Sequence, residues 1–178
     1  MCRQNLRYIR YAVAAALFAS IVWGLAACSG CEPEDDEQAI RALVAQAAER
    51  AEKHDISGLF DLATQTFVAN PGSNDRRSSK AMLMIMFRRY GAFHIAYPVF
   101  GVDIASSRLE ADVSVPFVVV REGQTVPDIR EFVEQPGKWL EEASKAADPF
   151  MLNAHLLKSD GEWKVDAVRI TGRRSVNL

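Results

Sequence analysis

The sequence predicts an α+β domain in which N-terminal helices pack on an antiparallel sheet of about four long strands. Two observations predict it. Between Glu37 and Gly91 the apolar residues recur three or four positions apart, the spacing of a helix face. After Gly91 they alternate every second residue, the spacing of a half-buried strand. Helices gathered at the front and strands at the back exclude a run of β–α–β units. A third observation sets the scale. Setting aside a leader of 27 of the 178 residues leaves 151, enough for one domain with a core of its own.

That leader is read from its layout. Arg3, Arg7 and Arg10 precede an apolar run from Tyr11 to Ala27, and small residues stand directly before Cys28, the arrangement of a secretory signal. At roughly 15–17 residues the run is short for a membrane-spanning helix, which needs about 20. The sequence Leu25-Ala26-Ala27-Cys28 resembles the lipobox of bacterial lipoproteins. That resemblance implies cleavage before Cys28 and acylation of this cysteine, making membrane lipid the first partner of the chain. Two or more acyl chains anchor stably where one does not. Ser29 rather than Asp follows the cysteine, which in the enterobacterial sorting pattern favours the outer membrane. The expected location is the bacterial cell envelope, lipid-anchored and facing the periplasm.

Without the leader the 21 basic residues fall to 18 against 23 acidic, a formal charge of −5. This argues against nucleic acid as a partner and against attraction of the whole chain to anionic lipid. Of three cysteines, Cys2 leaves with the leader and Cys28 carries lipid. Cys31 remains alone and cannot staple the fold. No cysteine spacing suits a metal, and no motif calls for a cofactor. Residues 28–36 read as a lipidated tether whose acids, Glu32, Glu34, Asp35 and Asp36, merge into a helix N-terminus. Some eight extended residues reach no more than about 30 Å.

The domain spans 37–172, with a tail at 173–178. Its first helix starts at Glu37 and offers Ile40, Leu43, Val44, Ala47, Ala48 and Ala51 on one face. Asp55 is a good N-cap for a second, short helix from Ile56 to about Thr66. The run Asn70-Pro71-Gly72-Ser73-Asn74-Asp75 is a turn. Ser78 or Ser79 caps a third helix carrying Met82, Leu83, Met86, Phe87 and Tyr90, which Gly91 ends. Phe93, Ile95, Tyr97 and Val99 then form one strand face, with a bend at Pro98 or Gly101 before Val102 and Ile104. Leu109 to Val119 alternates against Glu110, Asp112 and Ser114. Strands from Phe150 to Lys158 and from Trp163 to about Thr171 flank Asp160-Gly161, a hairpin turn.

This order, with the step His54-Asp55-Ile56-Ser57-Gly58-Leu59-Phe60 and the closing Asp160-Gly161-Glu162-Trp163-Lys164-Val165, resembles the nuclear transport factor 2-like superfamily of ketosteroid isomerases and polyketide cyclases. The resemblance implies a curved sheet wrapped around the first helix and a cone-shaped pocket. The chain departs from it at about 122–148, some 27 residues where the family often has a tight hairpin. Pro136-Gly137 precedes a helix bearing Trp139, Leu140 and Ala143. This insertion either packs on the sheet or forms a lid over the pocket mouth with Trp139 as its apolar contact.

Two classes of function follow. As a binding module, the domain would hold a small apolar ligand between the third helix and the sheet, with Met82, Met86, Phe87, Tyr90 and Trp139 as contacts. Methionine suits irregular apolar surfaces. A protein partner would use the open sheet face or the insertion, and a second copy of the chain the sheet. As an isomerase or dehydratase, it would set a carboxylate or histidine base against a tyrosine donor, as the resemblance implies. Asp103, His94 and His155 are the candidate bases and Tyr97 the donor; Tyr97 and Asp103 share one alternating face by odd–even count. Binding is the favoured expectation. A structural envelope component without a pocket is a third.

Overall fold

The computed structural model describes residues 33–143 and 145–172. The leader 1–27, Cys28, Cys31 and the tail 173–178 lie outside the described residues. Glu37–Leu178 forms one compact unit. It contains every described strand and every buried apolar residue among the described ones, from Ile40 to Trp163, so it holds a complete core.

Helix α1 spans Pro33–Glu52. It begins four residues before the predicted start, with proline in its first turn, where a missing N–H costs nothing. Ile40, Leu43 and Val44 are its buried stripe. Helix α2 covers Ile56–Asp61, and the Asp55 carboxylate accepts from the Gly58 N–H at 2.8 Å, the predicted cap. It stops short of Thr66. Residues Ala63–Asn70 are instead strand β1, lying parallel to the last strand. Thr64, Thr66, Phe67 and Val68 suit a pleated surface better than a helix. The hydroxyls of Thr64 and Thr66 donate to the Asp166 carboxylate at 2.7 and 2.8 Å, tying the strand to its neighbour. Helix α3, Arg76–Tyr90, is capped by Asp75 rather than by Ser78 or Ser79: the Asp75 carboxylate accepts from the Ser78 N–H at 2.8 Å. Gly91, at φ 65°, ends it as predicted.

Strands β2 (Phe93–Ala96) and β3 (Val102–Ile104) both pair with β4 (Glu110–Arg121), at its opposite ends. Tyr97 to Gly101 leave the sheet between them, at the predicted bend. Two helices follow, α4 (Arg130–Glu134) and α5 (Pro136–Ala143). Strands β5 (Ala147–Ser159) and β6 (Glu162–Gly172) close the chain. Asp160 and Gly161 both take positive φ, 53° and 83°, the geometry that suits a two-residue hairpin loop.

The curved sheet has six strands in the order β1-β6-β5-β4-β2, with β3 also on β4. It is mixed, because β1 runs parallel to β6 while the other pairings are antiparallel. Strands β4, β5 and β6 run to 12, 13 and 11 residues and β1 to eight. Strand pleating divides the sheet into two faces. On the helix side, Ala111, Val113 and Val115 of β4 with Ala154 and Leu156 of β5 meet Ile40, Leu43 and Val44 of α1. A second helix-side cluster joins Phe60 of α2 and Phe67 of β1 to Leu83 of α3. The outer face is half covered. Val118, Val120, Ala147 and Ala96 lie under Trp139 and Ala143 of α5, so the insertion packs on the sheet.

Candidate functional site

The uncovered half of the outer face carries an open cleft of about 500 Å³, lined mainly by strands β3, β4, β5 and β6. Its polar side chains come in two rows set by strand register. One row runs Asp103, Asp112, His155 across β3, β4 and β5; the next runs Ser114, Asn153, Arg169 across β4, β5 and β6 and reaches Asn70 of β1. Neighbours in a row are one strand spacing apart, about 4.8 Å. His155 Nδ1 lies 3.0 Å from Asp112 Oδ1, and the Ser114 hydroxyl donates to Asn153 Oδ1 at 3.0 Å. The floor therefore presents two carboxylates at one side and a guanidinium at the other. The Asp112 side chain is 74% exposed, so water reaches this site and screens its charges.

Of the four candidate acid–base residues, the structure brings Asp103 and His155 together in the cleft and leaves the other two elsewhere. Tyr97 packs against the helix-side core beside Phe100, with its hydroxyl pushed up by burial and then by the Glu52 carboxylate. Tyr97 and Asp103 thus lie on opposite sides of the sheet. The odd–even count fails between them because the residues after Ala96 leave the sheet before β3 begins. His94 stands on edge strand β2 with Nδ1 2.7 Å from Glu52 Oε1, remote from the cleft in register.

The expected ligand contacts are scattered. Met82 and Met86 face outward from α3. Phe87 is buried and stacks on His54 at 4.8 Å between centroids. Tyr90 donates to Asp148 Oδ2 at 3.2 Å, and its hydroxyl is raised by burial and then by that carboxylate. Trp139 is 3% exposed and spent on packing the insertion against the sheet. Sequence reasoning does not single out Arg169 or Ser114. Ser114 could be found from the alternation of β4, which sends it to the same side as Asp112; Arg169 depends on a bulge described below. Among the described residues no group of three or more His, Cys, Asp or Glu side chains could hold a metal ion.

The sequence matches no protein-family model and no curated protein. Solved structures do resemble it. A protein of unknown function with a cystatin-like fold from Nostoc punctiforme superposes with a TM-score of 0.60 at 11% identity, covering 81% of this chain and 95% of that one. The fold is cystatin-like, of the nuclear transport factor 2-like kind. A nuclear transport factor 2-like protein of unknown function from Pseudomonas putida gives 0.58 at 11% identity, covering 80% and 89%. A putative scytalone dehydratase from Novosphingobium aromaticivorans gives 0.56 at 15% identity, covering 76% and 83%. Similarity at this level establishes the nuclear transport factor 2-like fold; the chemistry has to be argued from the site.

Proposed function

We propose that this chain is a lipid-anchored envelope protein whose outer sheet face binds a polar partner without catalysis. The observation that carries the reading is the open cleft with Asp103 and Asp112 at one side and Arg169 at the other. Such a floor suits a segment presenting a cation and an anion, as a peptide stretch of an envelope protein does, and suits a small apolar ligand poorly. Exposure of Asp112 weighs against catalysis, since acid–base chemistry gains most where water is excluded.

The test is a photo-crosslinking residue placed at Ser114 in the full chain, in its own envelope. The expected result is an adduct with a distinct envelope protein, weakened about tenfold by Arg169→Glu. An adduct of twice the chain mass would assign the face to a second copy instead, and no adduct would sink the reading. The anchor rests on Leu25-Ala26-Ala27-Cys28. Cys28→Ser is expected to abolish palmitate labelling while the domain keeps its thermal midpoint; label retained on the variant would refute the assignment.

One observation favours the enzyme reading. The Asp112 carboxylate on His155 Nδ1 at 3.0 Å would hold the ring in one tautomer and leave Nε2 to accept a proton. In an isomerase or dehydratase built here, His155 would be the base and Asp112 its positioning residue. His155→Ala would then abolish turnover with ligand binding retained, an outcome the binding reading does not predict.

A further inference from the structure

We infer that helix α3 is an interfacial helix that lies on an anionic phospholipid surface. Met82, Met84, Ile85 and Met86 are 49, 47, 68 and 39% exposed, half of the large apolar side chains exposed among the described residues and all on one helix. Scattered exposed apolar residues need no explanation, but a contiguous group does.

The inward stripe of α3 is narrow. Ser79 and Phe87 are buried, and Leu83 between them packs on Phe60 and Phe67. At about 100° per residue, Met82, Ile85 and Met86 fall on one flank of the exposed surface, together with Arg89. Arg77, Lys80 and Arg88 fall on the other, with Met84 among them. An apolar flank beside a cationic one is the pattern of a helix lying in the membrane interface.

Charge selects the occupant. Helix α3 holds five of the 21 basic residues of the chain and none of its 23 acidic ones. Arg76 is committed to backbone carbonyls and Lys80 sits over the Phe60 ring. Arg77, Arg88 and Arg89 are exposed. The acids at the two ends are taken: Asp75 caps the helix, and Asp148 receives Tyr90 and Arg121. The helix dipole accounts for cations in the last turn, but not for four apolar side chains in water. A second copy seated symmetrically would bring arginine against arginine. A bilayer with anionic headgroups offers phosphates to the cations and acyl chains to the methionines at once. The negative charge of the chain as a whole is no obstacle, because screening confines each charge to about 8 Å at physiological salt.

The test uses the chain from Pro33 to Leu178, which contains the compact unit and lacks the apolar leader. Its tryptophans, Trp139 and Trp163, are buried, so Ile85→Trp adds a single exposed reporter. With vesicles of equal parts phosphatidylcholine and phosphatidylglycerol, the expected result is a blue shift and quenching by brominated acyl chains. Partitioning should weaken about tenfold or more when Arg88→Glu and Arg89→Glu are added, and likewise with Met82→Gln and Met86→Gln. Flotation of the unsubstituted chain with the same vesicles should follow the same lipid dependence. Three outcomes would each overturn the inference: no binding, equal binding to pure phosphatidylcholine, or a blue shift without lipid that tracks a doubling of mass.

Discussion

Trp139→Ala is expected to lower the stability of the domain by about 3–5 kcal/mol, the range for removing a buried tryptophan, and to release the insertion from the sheet. The residue is 3% exposed and fills the space between α5 and the outer-face residues Val118, Val120 and Ala147. Its indole Nε1 donates to the carbonyls of Pro127 at 3.0 Å and Asp128 at 2.9 Å, pinning the loop that leads into α4. One side chain thus holds both the helix and the loop before it. Thermal unfolding should shift down by on the order of 10–20 °C. Hydrogen exchange should accelerate first over residues 126–143. Trp139→Phe separates the two contributions, since it keeps most of the packing and loses the donor; a cost of about 1–2 kcal/mol is expected for it. If Trp139→Ala left exchange in the insertion unchanged, the docking role would be wrong.

That insertion also explains where the sequence was legible and where it was not. Strand β4 alternates cleanly from Glu110 to Val115, then turns apolar on both faces from Phe117 to Val120. An apolar run without alternation marks a strand covered on both sides, so the outer cover was written there even though its identity as α5 was not. Helices α1 and α3, the bend between Tyr97 and Gly101 and the Asp160-Gly161 turn were legible because their signals are local. Strand β1 was not, since it exists through pairing with β6 about a hundred positions further on. Arg169 failed for a subtler reason. Counting back from the Asp160-Gly161 turn would set Val168 opposite Asn153, but a register shift between His155 and Leu156 moves the pairing by one and brings Arg169 there. One extra residue in a strand sends every later side chain to the other face. The cleft owes its only guanidinium among the lining residues to that bulge.

The same dependence on distant partners makes Arg76→Ala a second large effect. By sequence Arg76 is one of several cations flanking α3, and a solvated face is the ordinary explanation for it. In the fold its guanidinium donates to the carbonyls of Phe60 at 2.9 Å, Ala63 at 3.0 Å and Thr64, and lies over the Phe60 ring. These carbonyls sit where α2 ends and β1 begins, at the turn the sequence reads as continuing helix. A helix end leaves carbonyls without intrahelical donors, and here a side chain from the next helix supplies them. Hydrogen bonds from a charged donor contribute about 1.5–3 kcal/mol each but do not add fully. Arg76→Ala is therefore expected to cost about 2–4 kcal/mol, with amide exchange in Ala63–Asn70 rising ahead of the rest of the sheet. Arg76→Lys should recover little, because a compact ammonium cannot serve carbonyls on both sides as the planar fork does. Its exposed neighbour sets the scale: Arg77→Ala should stay within about 0.5 kcal/mol of the parent. Equal effects at the two positions would mean that the fork does not hold β1 to the domain.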